Sequence, residues 1–298
     1  NYGTHCRERQ IERHTLEHGR FIMSSRRGAS SHVHNPFMIL TSPETSETAG
    51  DVFATVLVYS GNFVAEAAPW QFDSTRAMIG LNPEEFSWKL LPGEDFYTPE
   101  AVQTYSSTGL ETMSHNFHKL FRTRLARGIY RDARRPVLLN SWEACYFGFD
   151  EERLKKIGTC CGDLGIELLV IDDGWFGKRD SDNCSLGDWV VDKRKLPNGI
   201  EGIYNHLKPL GIDLGIWFEP EMISEDSELY RAHPDWCLHV DGRPRTEARQ
   251  QLILDLSRTE VQDYIIDSLS AVFDSADISY CKWDMNRIFS DYYSQGVA

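Results

Sequence analysis

Tyr280-Cys281-Lys282-Trp283-Asp284-Met285-Asn286-Arg287 is the stretch that decides the fold, because a strand-like apolar run ends there in an acid. Three earlier runs end in the same way, at Asp172-Asp173-Gly174-Trp175, at Glu219-Pro220-Glu221 and at Asp255. Helix-like sequence separates the runs. This alternation is typical of a β/α barrel, in which active-site groups lie where strands end and βα loops begin.

The two halves of the chain differ in periodicity. Residues 1–108 contain short β-branched and apolar runs separated by turn residues, which predict the C-terminal part of a β-sandwich domain. Residues 109–134 carry apolar side chains at helical spacing and predict a linker helix. Residues 135–298 alternate between strand and helix, but a whole barrel needs about 250 residues. They therefore predict the first half of a (β/α)8 TIM-type barrel, in a multidomain β plus α/β protein.

The expected elements follow from these patterns. Strands are predicted at residues 37–40, 52–59, 63–67, 77–81, 86–90, 102–106, 137–142, 167–172, 213–218 and 280–283, with a shorter strand of uncertain placement at 251–256. Helices are predicted at residues 109–127, 150–164, 199–210, 227–232 and 259–275.

Composition excludes several classes of function. A net charge of −14 without a basic stripe argues against a nucleic-acid partner. No apolar run is long enough to span a membrane. Seven scattered cysteines favour a reduced, cytoplasmic protein, and the N-terminus has neither an initiator Met nor a signal segment, as expected for an internal cut. We expect no metal and no cofactor, because zinc and phosphate-loop motifs are missing from the sequence.

Lys282 and Asp284 lie two residues apart, so on a strand both side chains point to the same face. An ammonium beside Asp284 would keep this carboxylate ionised, as a nucleophilic or electrostatic carboxylate requires. The alternative is an ion pair at a strand end with no chemistry. Three other acidic strand ends in the same region favour a functional role.

Asp172 and Asp173 place two acids in one loop next to Trp175. Adjacent carboxylates are costly to bury unless they accept hydrogen bonds, and sugar hydroxyls supply such donors. Trp175 is expected to stack on the apolar side of a sugar ring. The alternative is a solvated turn in which Trp175 caps the core.

Glu219 and Glu221 flank Pro220, which ends its strand and leaves both acids in a loop. They are either a second pair of catalytic carboxylates or partners for arginines, and we favour arginine partners. Arg249 is expected to bond a substrate hydroxyl or to bridge these acids, or else to be a surface charge. Trp142 and Trp217 stand at or near strand ends, where tryptophans are often only packing.

Seven motifs together resemble the bacterial-type retaining α-galactosidases of glycoside hydrolase family 36. The resemblance covers the chain from about residue 28 to residue 287 and includes the N-terminal motifs at 28–32 and 59–63. The seven motifs lie at Asn140–Ala144, Ile171–Arg179, Ser185–Trp189, Asp192–Gly199, Gly215–Met222, Leu254–Arg258 and Lys282–Arg287.

The resemblance implies a role for each matching residue. Asp284 would be the nucleophile that forms a covalent galactosyl-enzyme, and Asp172 and Asp173 would hold hydroxyls of the galactose. Other implied substrate-binding residues are Lys282, Arg249 and Asn286 for hydroxyls, Trp217 for the pocket lining, and Trp142 or Trp189 for its mouth. The implied partners are α-galactoside oligosaccharides of the melibiose and raffinose type, and the implied assembly is a homo-oligomer, a tetramer when full length.

Retaining chemistry also needs a general acid/base about 5–5.5 Å from the nucleophile. In the family this residue lies in a later motif that is not in this chain, so we expect negligible hydrolysis by these 298 residues alone. Two other classes stay open from the residues: a Mg²⁺-dependent barrel lyase or isomerase, and a noncatalytic galactoside-binding fragment. Within the family, galactosyl transfer and N-acetylgalactosamine specificity also stay open.

Overall fold

A computed structural model describes residues 2–4, 6–30, 32–84 and 86–294. The chain divides into two compact units, Asn1–Ala133 and Arg134–Ala298. The first unit is built from antiparallel strands and the second from parallel strands and helices, so each is described by itself.

The first unit contains two three-stranded antiparallel sheets, β3-β6-β7 and β4-β5-β8, and a separate β1-β2 pair. The strands are β1 (Tyr2–Thr4), β2 (Arg7–Gln10), β3 (Phe21–Ser24), β4 (Phe37–Thr41), β5 (Val52–Leu57), β6 (Phe63–Trp70), β7 (Ser74–Leu81) and β8 (Ala101–Ser106). Together the two sheets form the predicted β-sandwich portion.

Apolar side chains of the first unit are buried in two groups. Met23, Leu57, Phe63 and Ala65 pack together, with Leu57 coming from one sheet and the other three from the second sheet. On the opposite face of β5, the helix α1 (Gly109–Leu120) covers Val52 and Ala54. Residues 109–133 thus belong to the first unit, and the linker role of residues 109–134 stays a prediction.

The strand predicted at residues 86–90 is absent, and the prediction was wrong. All five of these residues are exposed and none is in a strand, so this segment has no apolar face against a sheet. Its aromatic side chains contact Phe96 instead, with ring centroids 6.1 Å away for Phe86 and 5.2 Å away for Trp88. A strand needs both a pairing edge and a face to bury.

The second unit contains a four-stranded parallel sheet in the order β9-β10-β11-β14, which is also the order along the chain. Helices connect consecutive strands of this sheet, as at the start of an α/β barrel. The elements are β9 (Leu138–Asn140), α2 (Trp142–Cys145), α3 (Glu151–Leu164), β10 (Leu168–Ile171), α4 (Gly199–Leu207), β11 (Asp213–Phe218), β12 (Met222–Ile223), α5 (Glu228–Ala232), β13 (Leu252–Ile253), α6 (Thr259–Phe273) and β14 (Ile278–Trp283).

The helices of the second unit begin and pack as their sequences dictate. Asp150 caps α3 by accepting a hydrogen bond from the Arg153 backbone N–H at 2.8 Å, and Gly165 ends the helix with a φ of 73°. In α6 the buried side chains recur every three or four residues, at Val261, Ile265, Leu269 and Val272. They join one core cluster with Leu169, Ile171, Leu214 and Ile216 of the sheet.

The short strand β13 pairs with β12 in an antiparallel ribbon outside the parallel sheet. Asp255, expected at the end of a barrel strand, therefore does not join the other acids. Its carboxylate accepts hydrogen bonds from the Ser257 backbone N–H at 3.1 Å, the Ser257 hydroxyl at 2.6 Å and the Ser294 hydroxyl at 2.5 Å. That part of the strand-end prediction was wrong because a two-residue run carries too little pattern to fix its sheet.

The register of the parallel sheet shows which residues lie side by side on the face away from Leu169 and Ile216. Val170 pairs with Asn140 on one side and with Gly215 on the other, and Gly215 pairs with Tyr280. A Cβ at Gly215 would lie 2.9 Å from a Val170 methyl and 3.1 Å from the Tyr280 ring, so only glycine fits. Among the described residues, no helix has the length and apolarity to cross a bilayer.

Candidate active site

Three polar or aromatic side chains stand side by side at the carboxyl ends of the parallel strands. Trp217 pairs in register with Lys282, and Asp172 is the residue after Ile171, which pairs with Ile216. The three residues thus occupy one layer of the sheet and point to one face. Lys282 Nζ lies 2.8 Å from Asp172 Oδ2, so the first and last members of the layer form an ion pair.

The predicted pairing of Lys282 with Asp284 was wrong. The ion-pair partner of Lys282 among the described residues is Asp172, which belongs to a strand two positions away in the sheet. Asp284 follows the last residue of β14, and its carboxylate turns towards Trp217 and Asn286. A flexible four-carbon side chain reaches across the layer, whereas same-face residues along a strand are held roughly 6.6 Å apart.

Asp172 is fixed by donors on both carboxylate oxygens. Besides Lys282, Oδ2 accepts a hydrogen bond from Asn140 Nδ2 at 2.5 Å, and Oδ1 accepts one from the Asp173 backbone N–H at 2.9 Å. Its own backbone N–H donates to the Ser141 hydroxyl at 3.0 Å. The carboxylate therefore has one orientation, with its charge balanced by Lys282.

Asp284 is held by three donors. Its Oδ2 accepts hydrogen bonds from Trp217 Nε1 at 3.0 Å and from Asn286 Nδ2 at 2.8 Å. Its Oδ1 accepts one from the Met285 backbone N–H at 3.0 Å. The Asp284 backbone N–H donates to the Phe218 carbonyl at 2.8 Å, which ties this residue to the end of β11. All three hydrogen-bond partners of the carboxylate donate to it.

Glu219 lies behind Asp284 and is completely buried, with 0% of its surface exposed. It accepts hydrogen bonds from the Asn286 backbone N–H, from Asn286 Nδ2 at 3.2 Å and from Gln251 Nε2 at 3.1 Å. Burial raises the pKa of Glu219, and the nearby charge of Asp284 adds to the increase while the amide donors oppose it. Its bonding partners are thus amides, and the prediction of arginine partners was wrong.

Glu221 differs from Glu219 although only Pro220 separates them. Glu221 Oε1 accepts a hydrogen bond from Trp283 Nε1 at 2.8 Å, and Oε2 is buried without a partner in the described part of the chain. Burial raises the pKa of this carboxyl as well. An indole takes the place where we predicted an arginine.

Asp173 forms a buried ion pair with Arg179. Arg179 Nε lies 3.0 Å from Oδ1 and Arg179 Nη2 lies 2.9 Å from Oδ2, so the guanidinium contacts both oxygens. Burial raises the pKa of Asp173, although the guanidinium acts in the opposite direction. Whether Asp173 also holds a sugar hydroxyl stays a prediction.

Two tryptophans predicted at the sugar site are buried in the core. Trp175 is 0% exposed and donates from Nε1 to the Trp217 carbonyl at 3.0 Å, and Trp189 is 2% exposed. Both pack in a cluster of rings that includes Phe176 and Phe218. Neither ring can stack on a ligand or shape the mouth of a site in this arrangement, and these two predictions were wrong.

The remaining predicted residues take different positions. Trp217 is buried but reaches Asp284 through its indole N–H. Trp142 is half-buried after β9 and packs edge-on against Phe147, with ring centroids 5.0 Å apart. Arg249 is exposed on the turn before β13, where its φ is 52°. Roles for Trp142 and Arg249 in binding substrate stay predictions.

Three site residues were not predicted. Asn140 holds Asp172, Arg179 holds Asp173, and Gln251 holds Glu219. Asn140 ends the first parallel strand, so the rule that strand ends carry the site would have found it. Arg179 and Gln251 lie in loops, and no local pattern marks their partners.

The acids of the candidate site are not arranged to bind a metal ion in the described part of the chain. In the described ranges, no three His, Cys, Asp or Glu side chains converge as a metal site would require. The oxygens of Asp172 and Asp284 already accept hydrogen bonds from protein donors. The expectation that the protein uses no metal stays a prediction.

Comparisons with known proteins find similar sequences along almost the whole chain. Residues 95–298 match the Melibiase family model, and residues 1–91 match the model of the glycosyl hydrolase family 36 N-terminal domain. Alpha-galactosidase AgaA of Geobacillus stearothermophilus is 53% identical over 99% of this chain and 40% of its own length. Alpha-galactosidase Mel36A of Lactobacillus acidophilus is 46% identical over 99% of this chain and 40% of its own length.

Solved structures show the same likeness in three dimensions. A crystal structure of an AgaA variant of Geobacillus stearothermophilus in complex with raffinose is 53% identical, with a TM-score of 0.97, and the match covers 100% of this chain and 41% of that chain. The chain thus spans about 40% of the length of the curated relatives that it matches. The match over both units, together with the Melibiase model over residues 95–298, shows that the chain belongs to glycosyl hydrolase family 36.

Proposed function

We propose that this chain carries the nucleophile and part of the sugar-binding site of a retaining α-galactosidase. The observation that supports it is the position of Asp284, which is held by three donors just beyond the carboxyl end of β14 and is bonded to Trp217, a member of the layer that also contains Lys282 and Asp172. Named relatives of this chain are α-galactosidases, and one of them binds raffinose in a crystal.

The attacking atom is Asp284 Oδ1. Each carboxylate oxygen has two lone pairs in its plane. Oδ2 uses both on Trp217 and Asn286, whereas Oδ1 uses one on the Met285 N–H and keeps one. Oδ1 forms a bond to the anomeric carbon of the galactose while the glycosidic bond breaks, and the leaving oxygen takes the bonding electrons. Water then cleaves the ester, so the configuration is retained.

The ion pair of Lys282 and Asp172 binds hydroxyls of the same ring. The ammonium can donate a hydrogen bond to a sugar hydroxyl oxygen, and the carboxylate oxygens can accept one from a sugar hydroxyl. The pair therefore matches both hydrogen-bonding functions of a hydroxyl group. Lys282 is partly exposed, with 36% of its side chain accessible, so it can contact a ligand. Asn286, Trp217, Asp173, Arg249 and Trp142 are proposed as further contacts, with terminal α-1,6-linked galactose of melibiose- or raffinose-type oligosaccharides as the substrate.

The general acid/base is proposed to come from outside these 298 residues. The two acids near Asp284 do not suit the role, because Glu219 is fully buried and already accepts from Asn286 and Gln251, and Glu221 is bonded to Trp283. Formation of the galactosyl-enzyme from a substrate with a poor leaving group therefore needs a further carboxyl group, which protonates the leaving oxygen. We also propose that the protein forms a homo-oligomer and uses no cofactor. We propose a cytoplasmic location, because Cys145, Cys161 and Cys237 are buried free thiols.

The test is covalent trapping at Asp284. An activated 5-fluoro-α-D-galactosyl fluoride forms the ester without needing a protonated leaving group, and its ring fluorine slows hydrolysis of that ester. We expect the protein encoded by the complete reading frame to gain the mass of one 5-fluorogalactosyl group, which peptide mapping places on Asp284. Labelling of another residue, or protection by glucose but not by galactose, would contradict the proposal.

A further inference from the structure

Glu219 has no part in the reaction described so far, although it is the most deeply buried acid near Asp284. A buried carboxylate is costly unless its neighbours donate hydrogen bonds to it. All its bonding partners are amides: the Asn286 backbone N–H, Asn286 Nδ2 and Gln251 Nε2. In the described part of the chain no ion pair involves Glu219, so its charge is not there to match a cation.

The Asn286 side chain lies between two carboxylates. Its Nδ2 donates to Asp284 Oδ2 at 2.8 Å and to Glu219 Oε2 at 3.2 Å, which uses both amide hydrogens. The opposite orientation of the amide would place its carbonyl oxygen against two acids. Glu219 thus selects the orientation in which Asn286 donates to Asp284, and its bond to the backbone N–H fixes the residue that carries the amide.

We propose that Glu219 is a positioning residue, which acts through Asn286 to aim the Asp284 carboxylate at the anomeric carbon. This inference rests on the proposed function, since it assumes that Asp284 is the nucleophile. With Asn286 and Trp217 held on Oδ2, rotation of the carboxylate about its Cβ–Cγ bond would break two hydrogen bonds. Glu219 therefore keeps the free lone pair of Oδ1 in place without touching the substrate.

Glu221 offers a matched control. It is a half-buried glutamate in the same loop, and burial raises its pKa as it does that of Glu219. Its hydrogen-bond partner is Trp283 Nε1, whereas Glu219 contacts Asn286. If burial of a loop carboxylate were all that mattered, replacing either glutamate would have the same effect on the reaction.

The experiment measures the rate constant of covalent labelling with the same fluorinated galactosyl fluoride, by intact mass, in the protein encoded by the complete reading frame. We expect Glu219→Gln to lower this rate constant about 10- to 100-fold, since small misplacements of reacting atoms have effects of this size. Glu221→Gln should stay within about twofold of the unmodified protein. In the Asn286→Ala background, adding Glu219→Gln should lower the rate constant by less than about threefold, because the two residues act in series.

Each outcome bears on one claim. If the unmodified protein labels at Asp284 and Glu219→Gln labels equally fast, the positioning role is wrong while the proposed function stands. If the two substitutions are fully additive, Glu219 does not act through Asn286, and the inference is overturned. If the unmodified protein does not label at Asp284, the proposed function fails first and the inference falls with it.

A folding defect in the Glu219 variant would not end the test. Circular dichroism and thermal melting identify such a defect, and Asn286→Ala then tests the same contact from its exposed side. Positioning through Asn286 predicts that Asn286→Ala labels about 10- to 100-fold more slowly. An unchanged labelling rate constant in that variant would overturn the inference.

Discussion

Neighbouring strands run in opposite directions in the first unit and in the same direction in the second. In β5 the side chains alternate between buried Val52 and Ala54 and exposed Phe53, whereas all four residues of β10 are buried. Parallel strands all end at one edge of their sheet, so the polar residues that follow them converge, as Asp172, Glu219 and Asp284 do. Antiparallel neighbours end at opposite edges, so the residues that follow the paired strands of the first unit are divided between two edges. The direction of the strands, more than composition, gathers the candidate site.

The largest expected effect tests whether the chemistry belongs to the second unit alone. Asp284→Asn should lower the labelling rate constant by about 10⁴-fold or more, equivalent to about 5.5 kcal/mol, because the amide is a poor nucleophile. Asp51→Asn in the first unit is the matched control, since Asp51 accepts a hydrogen bond from the Tyr105 hydroxyl at 2.6 Å on an exposed sheet face. Equal losses in the two variants would contradict the comparison.

The next effect concerns the core of the sandwich. Phe63 is completely buried, and Phe63→Ala should destabilise the first unit by about 3–5 kcal/mol through lost burial and the cavity left behind. Hydrogen exchange followed by mass spectrometry should show faster exchange in β3, β6 and β7. Phe72→Ala, at a residue 87% exposed, should change little. Equal loosening of the parallel sheet would show that the units do not unfold separately.

The third effect concerns charge inside the second unit. Arg179→Met should cost about 3 kcal/mol, near the lower end for a broken buried pair, because Asp173 can take up a proton once the guanidinium is gone. Arg231→Met provides the control, since Arg231 pairs with Asp226 while 50% and 70% of the two side chains are exposed, and it should cost under about 1 kcal/mol. Urea titration measures both, and similar losses would contradict the importance of burial.

The smallest effect depends on pH. Burial by itself would raise the pKa of Glu151, but the Lys155 ammonium and the Asn198 hydrogen bonds lower it. A lowered folded-state pKa adds stability that is present above the unfolded pKa and is lost as the pH falls through the folded one. Glu151→Gln should therefore cost about 1 kcal/mol at neutral pH and less below pH ~4, as chemical unfolding would measure. Glu152→Gln, at the exposed neighbour, should have no such dependence.

Much of the fold could be predicted because its signals are local. The strand at Asp213–Phe218 has the predicted bounds, since a buried apolar run is bounded by Gly211 and Pro220. The acids of the site were found by one rule, that polar groups collect where parallel strands end. Residues 86–90 failed because apolar and aromatic content alone does not supply a pairing partner.

The contacts of the site could not be predicted, because they depend on distances between strands. Lys282 is two residues from Asp284 but binds Asp172, and only the order β10-β11-β14 brings that acid within reach. Trp175 and Trp189 could be either packing or binding residues from sequence, since a tryptophan suits both an apolar core and a sugar ring. In the structure both rings contact Phe176, so both tryptophans are packing residues of the core.

Gly215 sets how closely side chains of the two flanking strands pack over the middle of the parallel sheet. The Tyr280 ring rests where a side chain at 215 would otherwise stand, next to Val170. A methyl group there would lie 2.9 Å from the Val170 methyl and 3.1 Å from the Tyr280 ring, so one or both side chains would have to move. The missing side chain in the middle of the sheet thus lets side chains of β10 and β14 meet across the strand that separates them.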